Sequence, residues 1–243
     1  MKLLELMEYM QIVAPRELAE EWDNVGLLCG DPQREIKTVV VALDCDEATI
    51  AFAKEHDADV IVSHHPLIFS PVKRLTAPSP LFSLATSGIA AFAAHTNLDA
   101  ATGGVNDCLA QTLGLVDVEE AFGGIGRVGT LESPVTPADF AALVGQRLGT
   151  TVQLRAGTNE IRSVAIVGGA AGEYVFETDA DAFVTGEVKH HEWIAVPSTQ
   201  TLVCAGHYAT EAVVVKPLAA TLAAQFPQLR VLPFVGTAPY TFV

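Results

Sequence analysis

Short apolar runs separated by helical stretches leave this chain few folds to choose from. Val39 to Leu43, Val60 to Ser63, Ile89 to Ala94, Val152 to Arg155, Val164 to Val167, Ala182 to Thr185, Leu202 to Ala205 and Leu229 to Val235 all have the length and character of strands. Between them lie helical segments. Leu3, Leu6, Met7, Met10 and Val13 recur at helical spacing and stop before Pro15. Asp46 to Glu55, Pro80 to Thr86, Val105 to Leu113 and Pro137 to Leu148 follow. Ser79 and Thr136 stand as N-caps, and Gly88 and Gly114 as stops. Further helices are expected from about Glu187 to Val196 and from about Tyr208 to Gln225. Strands that alternate with helices predict α/β layers with mostly parallel pairing.

The pattern runs twice. Asp57-Ala58-Asp59-Val60-Ile61-Val62-Ser63 has a counterpart in Asp179-Ala180-Asp181-Ala182-Phe183-Val184-Thr185, and Val39 to Ala42 has one in Val164 to Val167. Ile89 to Ala94 runs into His95 as Leu202 to Gly206 runs into His207. Correspondences in the same order predict two related lobes. The glycine-rich link Gly123-Gly124-Ile125-Gly126 near the midpoint sets the expected boundary, giving lobes at 1–124 and 125–243, with the C-terminal segment able to pack back on the first.

Composition narrows the function. Half of the 243 residues are hydrophobic, enough for a sizeable core. The net charge is −15, and no basic stripe exists, which disfavours binding to a phosphate backbone. Cys29, Cys45, Cys108 and Cys204 are scattered with no C-x-x-C, the usage of a reducing cytosol. Glu5 and Glu8 interrupt the first apolar stretch, so no signal peptide is expected, and no run is long enough to span a bilayer. A cytoplasmic protein is the expectation.

Six of the seven histidines fall just beyond an expected strand end or in the helix after one; only His56 does not. In open α/β sheets, ligands bind outside the carboxyl ends of the strands. Pro66 ends the run that carries His64 and His65, so both rings can turn toward one pocket. Asp99 follows His95 by four residues in an expected loop, and Glu211 follows His207 by four at a helix start. Four imidazoles and two carboxylates exceed one tetrahedral site and suit two ions about 3.5–4 Å apart. Zinc, manganese, iron, cobalt and nickel all accept such mixed ligands. Other candidates carry plainer readings beside functional ones. Gly168-Gly169-Ala170-Ala171-Gly172 is a phosphate cradle or, preferably, a tight turn. Glu187, His190 and His191 line a cavity or a surface helix. Asp44 faces the pocket or makes a turn.

Motifs across nearly the whole chain then converge. Trp22–Leu27 reads WDNVGL, Ser63–Phe69 SHHPLIF, Ala94–Asp99 AHTNLD, Gly103–Asp107 GGVND, Thr185–His191 TGEVKHH and Gly206–Glu211 GHYATE. In these, the chain resembles the NGG-interacting-factor-three-like family, often catalogued as GTP cyclohydrolase type 2 homologues, in its short form without a central insertion. The resemblance implies an α/β fold of two related lobes, each a mixed β-sheet flanked by helices, with a dinuclear metal site in the cleft between them, and a homohexameric ring. It implies His64, His65, Asp99, His207 and Glu211 as metal ligands, with Glu211 the bridge. His95 becomes a proton-handling residue beside the metals. Trp22, Asp23 and Asn24 match the family pattern or simply pack the lobe. The expected activity is that of a metal-dependent hydrolase, a metal-bound hydroxide attacking a nucleotide-like substrate; the alternative is a non-catalytic metal-binding interaction protein.

Overall fold

The apolar runs become the strands of two sheets in the computed structural model, which describes residues 1–241. The chain forms two compact units. Of the described residues, 1–104 and 214–236 make unit 1, and 105–213 and 237–241 make unit 2.

Unit 1 begins with α1 (Leu3–Val13), which buries Leu3, Leu6 and Met10. It continues through β1 (Gly26–Cys29), β2 (Thr38–Ala42), α2 (Glu47–Glu55), β3 (Val60–Ser63), α3 (Pro80–Ser87), β4 (Ala90–Ala93) and α4 (Thr96–Ala100). The Asp46 carboxylate caps α2 by accepting from Thr49 N–H at 2.8 Å. Unit 2 takes up α5 (Val105–Leu113), β5 (Val116–Ala121), β6 (Gly126–Val135), α6 (Pro137–Leu148), β7 (Gln153–Arg155), β8 (Ile161–Ile166), β9 (Ala182–Thr185), α7 (His190–Ala195), β10 (Thr201–Cys204) and α8 (His207–Glu211). The chain then returns to unit 1 with α9 (Val215–Gln225) and β11 (Arg230–Phe234).

The sheet of unit 1 runs β1-β4-β3-β2-β11, with only β1 antiparallel. That of unit 2 runs β5-β6-β8-β9-β10-β7, with β8, β9 and β10 parallel. Central strands are buried throughout, as parallel strands covered on both faces must be. Side chains alternate between faces. In unit 2, Val164, Ile166 and Val184 pack with Leu109, Leu113 and Phe140. Their neighbours Ala165, Val167 and Phe183 pack with Val175 and Leu202.

The duplication is physical. Val39 pairs with Val60 as Val164 pairs with Ala182. Asp59 and Asp181 stand just before β3 and β9 and do the same work. Asp59 Oδ2 accepts from the backbone of Lys37 and Thr38 at 2.7 and 3.0 Å, and Asp181 Oδ2 from Arg162 and Ser163 at 3.1 and 2.9 Å. Each aspartate thereby fastens the start of the neighbouring strand, which explains why the Asp-Ala-Asp lead-in recurs.

Several expectations need correction. The glycine link at 123–126 is not where the compact units part; Phe122–Gly124 is a 3-10 turn joining β5 to β6 inside unit 2. The strands β1, β5 and β6 carry no long apolar run. β5 is exposed and holds Asp117, Glu119 and Glu120, charges that suit a sheet edge. His95 to Asp99 is not a loop, because α4 starts right after His95.

Candidate metal centre

In unit 1 the parallel strands β2, β3 and β4 lie side by side, and their carboxyl ends deliver Asp44, then His64 and His65, then His95. The ladder carries on past β3: His64 N–H donates to Ala42 O at 3.2 Å and His65 N–H to Leu43 O at 2.9 Å. Both backbones are thus fixed before Pro66 ends the pairing. Ring centroids lie 4.9 Å apart for His64 and His65, 5.2 Å for His64 and His95, and 5.6 Å for His65 and His95. One nitrogen from each of the three falls within 4.8 Å of the others. Asp99, buried on α4, places Oδ1 3.7 Å from His64 Nε2.

Each ring is anchored through Nδ1. His64 Nδ1 lies 2.9 Å from Ala94 O, His65 Nδ1 2.7 Å from Asp44 Oδ1, and His95 Nδ1 2.9 Å from Asp23 Oδ1. A carbonyl or carboxylate oxygen only accepts, so Nδ1 carries the proton and Nε2 is the basic nitrogen of the neutral ring. A histidine that binds metal shows this arrangement, its second nitrogen donating to an oxygen that fixes the ring. Asp23 serves His95 and also accepts from Thr96 N–H at 3.0 Å and Thr96 O–H at 2.5 Å. Burial raises the Asp23 pKa, yet these bonds outweigh it and hold the carboxyl below the usual range. Burial pushes His95 down, and the neighbouring His64 adds to that; together they outweigh Asp23, so the neutral imidazole is favoured.

Unit 2 supplies a second group at the carboxyl ends of β8, β9 and β10. His207 is the first residue of α8, and Glu211 sits one turn on and buried. Their Nε2 and Oε2 atoms are 3.0 Å apart. His207 Nδ1 lies 2.8 Å from Glu187 Oε1, the same anchoring again. Glycines clear the space. A Cβ on Gly169 (φ +70°) would come 2.2 Å from Glu211 Oε1, and one on Gly186 would come 2.7 Å from His207 Cα. The Gly168–Gly172 stretch is a turn and not a phosphate cradle, because its leading amides are committed: Gly168 N–H to Asn106 Oδ1 and Gly169 N–H to Thr210 Oγ1, at 2.9 and 3.0 Å.

The two histidines taken as counterparts are one residue out of step. Ala94 N–H donates to Ser63 O just as Ala205 N–H donates to Thr185 O, so His95 occupies the place of Gly206 and His207 the one after. His65 likewise corresponds to Glu187, and the second lobe has an orienting carboxylate where the first has an imidazole. Glu187 therefore joins the group as the anchor of His207, whereas His190 and His191 open α7 as exposed residues. Asp44 and Asp23 anchor His65 and His95, roles that the sequence left open. Their partners are 21 and 72 residues away, a distance no local pattern spans.

The donor set fits divalent ions of borderline character: neutral imidazoles with oriented Nε2 atoms and buried carboxylates, with no thiolate among them. Burial pushes the Cys45 thiol up to about 12, which keeps it protonated near neutral pH.

The chain is similar to known proteins over nearly its whole length. The family model described as Duf34/NIF3 (NGG1p interacting factor 3) matches residues 1–237. A Lactococcus lactis protein named GTP cyclohydrolase 1 type 2 homolog is 37% identical over 204 residues, 79% of each chain. NIF3-like protein 1 of Drosophila melanogaster is 30% identical over 219 residues, 83% of this chain and 75% of the relative. The crystal structure of the Staphylococcus aureus hypothetical protein SA1388 superposes with a TM-score of 0.94 at 29% identity, covering 100% of this chain and 99% of that one.

Proposed function

The chain belongs to the Duf34/NIF3 (NGG1p interacting factor 3) family, and from that premise we propose that it is a divalent-metal-dependent hydrolase acting on a nucleotide-like substrate. The observation that carries this reading is that four imidazoles, His64, His65, His95 and His207, are each anchored through Nδ1 to an oxygen acceptor and also grouped with other ligand atoms. His56 is anchored in the same way, with Nδ1 2.9 Å from Phe52 O, but belongs to no such group among the described residues. In this reading His64, His65 and Asp99 of unit 1, and His207 and Glu211 of unit 2, would serve as the metal ligands. Bound there, the ions would supply Lewis acidity and acidify water toward neutral pH. Asp44, Ala94 O and Glu187 keep the ligand rings in one tautomer. His95, neutral and held by Asp23, takes up a proton at Nε2 and returns it to a leaving group. The nucleotide class comes from the name of the Lactococcus lactis relative, and assembly as a homohexamer belongs to the same proposal.

The test is an assay of metal-loaded protein against nucleoside triphosphates and phosphoesters, beside Glu211→Gln. Turnover that needs the metal and falls at least a hundredfold in the variant is expected. Full metal content with no turnover of any substrate would favour the non-catalytic alternative.

A further inference from the structure

Two large aromatic rings stand exposed beside the histidine cluster of unit 1. Trp22 is 59% and Phe69 53% exposed. Their ring centroids are 5.7 Å apart, tilted at 51°, and both meet the His95 ring edge-on, at 6.1 and 6.4 Å. Leaving two aromatic faces in water forfeits the stabilisation that their burial would bring. Yet the surrounding backbone holds them in place. Within one turn, Trp22 supplies a ring, Asp23 anchors His95 and fastens Thr96, and Asn24 Nδ2 donates to Ile68 O at 2.5 Å, next to Phe69. That last bond ties the loop of one ring to the loop of the other. The turn thus couples the aromatic pair rigidly to an imidazole of the candidate reaction centre.

We propose that Trp22 and Phe69 form a stacking platform for the planar heteroaromatic ring of the substrate, a nucleobase, which orients the rest of the molecule toward His95 and the ions. This rests on the reading of the histidine cluster as the reaction centre. Base–aromatic stacking depends on a ring face and not on hydrogen-bonded readout.

The sequence holds two tryptophans, Trp22 and Trp193, so a Trp193→Phe background reports on Trp22 alone. Guanosine monophosphate titrated into that full-length, metal-loaded protein should quench Trp22 fluorescence saturably, and ribose 5-phosphate should not. By equilibrium dialysis, Trp22→Ala should weaken nucleotide binding about tenfold or more, and Trp22→Phe should restore most of it, with metal content unchanged in both. Nucleotide binding that ignores Trp22→Ala, or no binding at all, would overturn the platform. So would dissociation of the oligomer by Trp22→Ala in light scattering, which would show that a second copy covers these rings. Quenching without turnover would leave the platform standing and remove the hydrolase; turnover that ignores Trp22 would do the reverse.

Discussion

An imidazole has two nitrogens, and the partner of one decides what the other can do. At His64 that partner is a backbone carbonyl, at His65 and His95 an aspartate, at His207 a glutamate. The Asp44 bond is easy to remove, since the aspartate side chain is half exposed. Asp44→Ala should leave the fold intact and weaken metal affinity about 10- to 100-fold by isothermal titration, the usual cost of losing an orienting partner. Asp181 tests a structural role instead. Burial pushes its carboxyl up, but bonds from Ser163 N–H and O–H and from Arg162 N–H outweigh this and hold it below the ordinary value. Its contribution is therefore complete above the unfolded pKa of about 3.9 and disappears as pH falls through the lower folded value. Asp181→Ala should cost about 1–2 kcal/mol at pH 7 in urea unfolding, and the loss relative to the parent should shrink below about pH 4. A difference that stays constant down to pH 2 would contradict this account.

At the scale of elements, the site is a consequence of where parallel strands end. Buried strands read clearly from their apolar runs, and the candidate histidines stand just beyond their ends. What stayed hidden followed a physical rule. The strands β5 and β6 sit with polar or glycine-bearing sequence at and next to a sheet edge, where pairing and not periodicity makes the strand. The five-residue helix α4 is too short to show a period, and it is held by Asp23, 73 residues from Thr96. The roles of Asp23, Asp44 and Glu187 are contacts between distant loops, so adjacent residues gave no sign of them. Gly169 is a turn residue whose importance lies across the sheet edge. Gly169→Ala would put a left-handed backbone and a Cβ against Glu211. It should cost about 1 kcal/mol or more in stability and lower metal content as Glu211 is displaced. Unchanged metal affinity in this variant would show that the glutamate has room to spare.

For the whole molecule, the chain makes one supersecondary plan twice and then sends α9 and β11 back into the unit where it began. No helix among the described residues is long and apolar enough to cross a membrane. Metals that bind only the folded protein stabilise it by mass action, about 4 kcal/mol at a thousandfold excess over the dissociation constant. Chelation at pH 7.5 should therefore lower Tm by several degrees, and restored divalent metal should reverse the change. Removing a proposed ligand from either unit should lower the metal content. Elemental analysis of protein purified without chelator or affinity tag decides this most directly. The account predicts about two divalent ions per chain, falling to one or none in His64→Ala and in Glu211→Ala, with both variants folded by circular dichroism. Full stoichiometry retained in the His64→Ala, Glu211→Ala double variant would contradict it.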